Sequence, residues 1–388
     1  DASFNGGVYL GGKKLGDTDV VESITFTGGP SYQLGQDIDG EAAGDWSGHS
    51  VSINGDGTIV AIGARYNDGT ATTGNYGHTR IYQYDSINDI WNQLGQDIDS
   101  EASGDESGYS VSINSDGTIV AIGALYNDGN GSNAGHVRIY QYDDTVWNQI
   151  GQDIDGEAST DYSGNSVSIN DSGTIVAIGA SSNDGTGDSS MGHTRIYQYD
   201  SGNDIWNQIG QDIDGEAKND QSGYSVSMNS DGTIVAIGAP YNDGTGAGNE
   251  GHVRIYQYDG TVWNQLGQDI DGEAASDYSG RSVSISSDGS RVAIGAEQND
   301  GTTTYYAGHV RIYEYDSGND IWNQLGQDID GEAKGDYSGS SVSINSDGTI
   351  VAIGAKYNDG TDPYNEGHTR IYQYDGTVWN QLGQDIDG

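Results

Sequence analysis

The chain has 388 residues, with 59 acidic side chains against 14 basic ones and a formal charge of −45. A surface this negative repels phosphate backbones and anionic bilayers, which argues against nucleic acid as a partner and against direct membrane insertion. Cysteine is absent, excluding disulfides and thiol chemistry, while 63 glycines, 3 prolines, 27 tyrosines and 7 tryptophans point to short strands joined by tight turns.

In chain order, residues 1–40 read as a worn copy of the repeat that fills the rest of the chain. Ala2–Asn5 falls on VSIN, Val8–Gly12 on VAIGA, Ser23–Phe26 on RIYQ and Tyr32–Gly35 on WNQLG. The chain begins at Asp1 rather than Met, as a processed chain or an excised fragment would. From residue 41 to 388 the segments SVSIN, TIVAIGA, GHVRIYQYD and WNQLGQDIDGEA recur six times in one order. Trp91, Trp147, Trp206, Trp263, Trp322 and Trp379 mark a period of 56 to 59 residues. Each repeat predicts four strands. In Thr58–Ala64 both faces of the second strand are apolar, as stacked sheets require. Asp-Gly in SDGT makes the first hairpin turn without needing a ligand, and the Trp-bearing fourth strand is expected at a half-exposed rim. The fold class is therefore all-β: one β-propeller domain of four-stranded blades, with seven blades expected from six clear repeats and the degenerate N-terminal copy.

SGxSVS, AIGAPYNDG with Pro240, and GHVRIYQY resemble the FG-GAP repeats of integrin α-subunit propellers and their relatives, over residues 34–388. The resemblance implies an extracellular adhesive or ligand-binding role, often with calcium. Ser47-Gly48 stands where that family has Phe-Gly, and Asn114–Gly117 lacks most of the spaced aspartates of its calcium loops. The blades are also similar to generic WD40-type blades.

The loops joining the second strand to the third, and the fourth to the next blade, share one face. Hard oxygen donors crowd there: Asp37, Asp39, Glu41 and Asp45; Asp97, Asp99, Glu101 and Asp105; Asp153, Asp155, Glu157 and Asp161; Asp212, Asp214, Glu216 and Asp220; Asp269, Asp271, Glu273 and Asp277; Asp328, Asp330, Glu332 and Asp336. These are calcium-type ligands, although the same side chains serve equally as turn caps. His136 and Arg138 lie two apart on one side of the third strand, with Arg expected to pair with a carboxylate and pack its stem between blades. A site would use residues the blades do not share. Before Ser-Val-Ser stand His49, Tyr109, Asn165, Tyr224, Arg281 and Ser340; after the loop aspartate stand Trp46, Glu106, Tyr162, Gln221, Tyr278 and Tyr337. A third variable position runs Arg65, Leu125, Ser181, Pro240, Glu297 and Lys356.

The expected function is a non-enzymatic extracellular propeller, adhesive or structural, presenting this acidic face to a protein or glycan of the cell surface or matrix. Calcium and self-assembly are both compatible with it, and a multivalent lectin is the alternative. An enzyme is disfavoured by the absence of a G-x-S-x-G elbow and of H-E-x-x-H, leaving His49 with Arg281 as the one catalytic pair to consider.

Overall fold

A computed structural model describes residues 9–10, 13–14, 33–69, 74–185, 189–244, 248–300, 305–359 and 366–388. It is an all-β propeller of six blades. The second blade shows the plan. Strands Ser110–Ile113, Ile119–Ala124, His136–Tyr142 and Trp147–Gln149 pair antiparallel in that order. A fifth, two-residue strand, Ile154–Asp155, returns to the start of the third, where Asp155 opposes His136. The four-strand expectation missed this strand. It divides the edge of the third strand: Trp-Asn-Gln takes the outer half, and Ile-Asp the half that carries the histidine.

The second strand, with side chains alternating to both faces, is fully buried in this blade, because this sheet is covered by a blade on either side. Val111, Ile113, Val120, Ile122, Tyr140 and Trp147 of this blade pack with Ile59, Ala61 and Ile81 of the one before. Serines of SVSI stitch the inner strands together. Ser110 Oγ donates to Gly164 O of the next blade (2.8 Å), and Ser112 Oγ accepts from Ile169 N (3.0 Å).

On this half-exposed outer strand the tryptophan turns inward: five of the six repeat tryptophans, from Trp147 to Trp379, are 3% exposed. The LGQ that follows one blade's fourth strand clamps the tryptophan of the next. Gln96 Nε2 donates to Trp147 O (2.8 Å), Gln96 Oε1 accepts from Trp147 N (2.9 Å), and Trp147 Nε1 donates to Leu94 O (2.8 Å). Gly95, at φ +76°, must be glycine because a Cβ there would lie 2.7 Å from the indole.

The expected seventh blade is not formed as the sequence suggested. Tyr9–Leu10, from the stretch matched to VAIGA, pairs with Lys13–Lys14 just beyond that stretch. Most of residues 1–32 lie outside the described residues. Leu34 and Gln36 do clamp Trp91 as a preceding blade would. One face of the first inner strand is nonetheless open. Val51 and Ile53 are 63% and 58% exposed, where Val111 and Ile113 are 8% and 6%.

Candidate functional site

The loop carboxylates fall into distinct roles. Asp45, Asp105, Asp161, Asp220, Asp277 and Asp336 are buried. Asp105 Oδ2 accepts from Ala102 N, Ser100 Oγ and the Asn127 amide of YNDG, so it caps a turn. Glu101 faces Arg138 (3.6 Å), whose other terminal nitrogen donates to Asp99 O (2.9 Å). The side chains of Asp37, Asp97, Asp153, Asp212 and Asp328 accept from the glutamine four residues before them, as Asp269 does from Gln265 (2.6 Å).

Each nine-residue acidic run is therefore not one ligand set. Glu41 meets His78 and Asp97, Glu101 meets His136 and Asp153, and the same grouping recurs as Glu157, His193 and Asp212. Asp39, Asp99, Asp155, Asp214, Asp271 and Asp330 precede the turns, and burial raises the carboxyl pKa of the last four above the usual range. In the first hairpin, Asn114 Oδ1 and Asp116 Oδ1 accept from Thr118 and Ile119, while Asn114 Nδ2 and Ser115 N donate to Asp171 O of the next blade's hairpin.

The variable positions converge. His49 and Tyr109 stack (5.0 Å between centroids), Asn165 donates to Tyr224 O (2.8 Å), and Arg281 lies over the Tyr224 ring (4.4 Å). Ser340 donates to Gly354 O (3.2 Å). Among residues before Ser-Val-Ser, contacts thus cross from the first blade to the second, the third to the fourth and the fifth to the fourth. The position after the loop aspartate holds six non-glycine residues in the left-handed region, with Trp46, Tyr162, Tyr278 and Tyr337 each at φ 55°. Backbone of this kind is sparsely populated by bulky residues and is held by its surroundings. The tyrosine of YNDG supplies part of that hold: Tyr66 lies tilted against Trp46, and Tyr126 meets Tyr162, Tyr241 meets Tyr278 and Tyr357 meets Tyr337 edge to face. These tyrosines were not singled out from the sequence, because repetition disguised them as framework.

Charge gathers here in opposite pairs. Glu297, with only 4% of its side chain exposed, is paired with Arg281 (3.2 Å) and Lys356 (2.7 Å), residues from the same blade and the next. Arg65 faces Glu106 (3.6 Å), contacts the Tyr66 hydroxyl, and lies between the rings of Trp46, Tyr66 and Tyr109. Burial raises the Glu106 pKa, with Arg65 opposing. Burial also raises that of Tyr224, which interacts electrostatically with Arg281, Tyr109 and Glu297. His49 is held neutral, its pKa lowered to about 4 by burial of its inner side and by the Arg65 charge.

Compared with known proteins, residues 99–140 match the model of the FG-GAP repeat, and no curated protein matches the chain. Solved structures match along most of its length. A candidate 6-phosphogluconolactonase of Bacteroides uniformis is 11% identical, with 88% of this chain and 85% of that one covered and a TM-score of 0.58. The periplasmic gluconolactonase of Pseudomonas aeruginosa is 14% identical, with 87% and 85% covered and a TM-score of 0.57. Hydrazine synthase of Kuenenia stuttgartiensis is 12% identical, with 89% and 81% covered and a TM-score of 0.54. At these identities the likeness carries the fold. The expectation of a non-enzymatic adhesive or structural module is nevertheless overturned, since propellers of this shape bear the names of lactonases. Its weakness was physical: it rested on repeated surface acidity, whereas unlike residues converge where the inner strands meet. Residues 99–140 of this β-propeller thus match an FG-GAP repeat.

Proposed function

We propose that the chain is a hydrolase acting on a small anionic lactone at the face where the variable residues converge. One observation carries the reading: two groups of unlike residues, Arg65 with Glu106 and a neutral His49, and Arg281 and Lys356 with Glu297, occupy positions the repeat otherwise leaves free. On a chain of charge −45, these three cations are where an anionic substrate would be tolerated. The lactonase names among propellers of similar fold support the reaction class by analogy.

In this reading His49, neutral over the ordinary pH range, takes a proton from water as it attacks the lactone carbonyl. The guanidinium of Arg281, anchored by Glu297 through Nε, retains donors for the oxyanion. Collapse breaks the ring C–O bond, and the departing oxygen takes the proton held by His49, giving a hydroxy acid.

The test is base consumption at constant pH with glucono-δ-lactone and its 6-phosphate. Wild-type protein should exceed the spontaneous rate, and His49→Gln should lower kcat by roughly 10²-fold or more. No acceleration by wild type, or an unchanged rate in His49→Gln, overturns the proposal.

A further inference from the structure

We propose that the clefts around the repeated histidines each bind one divalent transition-metal ion of the zinc class, through a Glu, a His and an Asp. The fourth blade shows the geometry. His252 is 1% exposed, and Nε2 is enclosed without a partner. Its other nitrogen, Nδ1, faces the cleft 3.9 Å from Glu216 Oε2. That is too long for a hydrogen bond, but it suits two ligands that each sit about 2.0–2.2 Å from a shared ion. A buried imidazole bonded at neither nitrogen is costly, and only the Nδ1 side is open to a compensating group.

The carboxylates are held in place by their other oxygens. Arg254 Nη1 lies 3.6 Å from Glu216 Oε1, and Gln265 Nε2 donates to Asp269 Oδ1 (2.6 Å). One oxygen of each thus remains for the cleft, the outer-shell support typical of metal ligands. Glu216, His252 and Asp269 can each place a ligand atom within 4.8 Å of the others. They border a half-open cleft of about 300 Å³ that also holds Asp220, Asp243 and Asp271.

The arrangement repeats. The histidine–glutamate separation is 3.8 Å at His78 and 3.9–4.0 Å at His193, His309 and His368. In the second blade His136 instead lies 3.9 Å from Asp153 Oδ2, completing its triad with Glu101. One nitrogen and two carboxylates suit zinc and its neighbours, whereas calcium takes six to eight oxygens. The inference therefore differs from the calcium-loop expectation in both donors and grouping. It shares no residue with the proposed hydrolytic site, so either can fail alone.

The test is calorimetric titration of EDTA-stripped full-length protein with Zn²⁺ and, separately, Ca²⁺ at fixed ionic strength. Zinc should bind saturably with a stoichiometry near six, one ion for each of the six such groups among the described residues, and should raise Tm more than equimolar calcium. Co²⁺ should give the visible absorption of a mixed nitrogen and oxygen site. Glu216→Gln, which leaves the buried histidine untouched, should lower the stoichiometry by one with an unchanged circular dichroism spectrum. No saturable zinc binding, equal stabilisation by calcium, or unchanged stoichiometry in Glu216→Gln overturns the proposal.

Discussion

Replacing Gln211 by Ala tests what holds neighbouring blades together. Its amide bridges to the buried Trp263 of the next blade twice: Nε2 donates to Trp263 O (2.7 Å) and Oε1 accepts from Trp263 N (3.1 Å). Two such bonds contribute about 1 kcal/mol each. The substitution also strands a backbone donor and acceptor beside an indole that is 3% exposed, a penalty of about 1–3 kcal/mol that water entering the partly buried site reduces. The expected loss is therefore about 2–4 kcal/mol. Urea unfolding followed by tryptophan fluorescence, extrapolated linearly, measures it. Gln265→Ala is the control: its amide, on an exposed residue, meets only the half-buried carboxylate of Asp269, so in EDTA it should cost under about 0.5 kcal/mol. If Gln211→Ala falls within about 0.5 kcal/mol of wild type, or if the control costs as much, the clamp is not what joins the blades.

Gly238→Ala should be among the most damaging single-methyl changes. Its Cβ would run into the carbonyl of Gly280 in the next blade's backbone, which cannot swing aside, so we expect a loss above about 4 kcal/mol or insoluble protein. Wild-type stability in this variant would mean that the blades are not spaced as described. For His49, the folded pKa of about 4 lies below the ordinary 6.5. Between these values the unfolded chain binds more protons, so the contribution of His49 to stability is complete above pH 6.5 and declines as pH falls toward 4. By the same shift, lactone hydrolysis should decline only as pH falls through about 4. A pH–rate profile of kcat/KM with its acid limb near 6.5 would show that His49 is not the neutral base.

Much of the fold was legible because repetition amplifies weak local signals. Six copies of IVAIGA or RVAIGA, with neither face polar, require a sheet covered on both sides, and Asp-Gly and Asn turns separate the strands. The variable positions were likewise visible against a constant background, and His49, Tyr109, Tyr224 and Arg281 do meet.

Contacts between blades were not legible, since they join residues far apart in the chain, 39 positions for Arg138 and Asp99 and 51 for Gln96 and Trp147. Nothing local says that the Gln of LGQ grips the next tryptophan, that Ile154–Asp155 returns as a strand, or that Glu297 is shared by Arg281 and Lys356. The same limit misgrouped the carboxylates, because nearness in the chain suggested sets that folding separates, with Glu216 set against His252 and Asp269. It also misplaced the N-terminal segment, where part of a matched string pairs with residues just beyond it. Local composition and period therefore determined the blade and its turns. Tertiary structure alone decided the blade count, the partner of each charge and the meeting of unlike residues, because burial and Coulomb energy depend on distance in space and not along the chain.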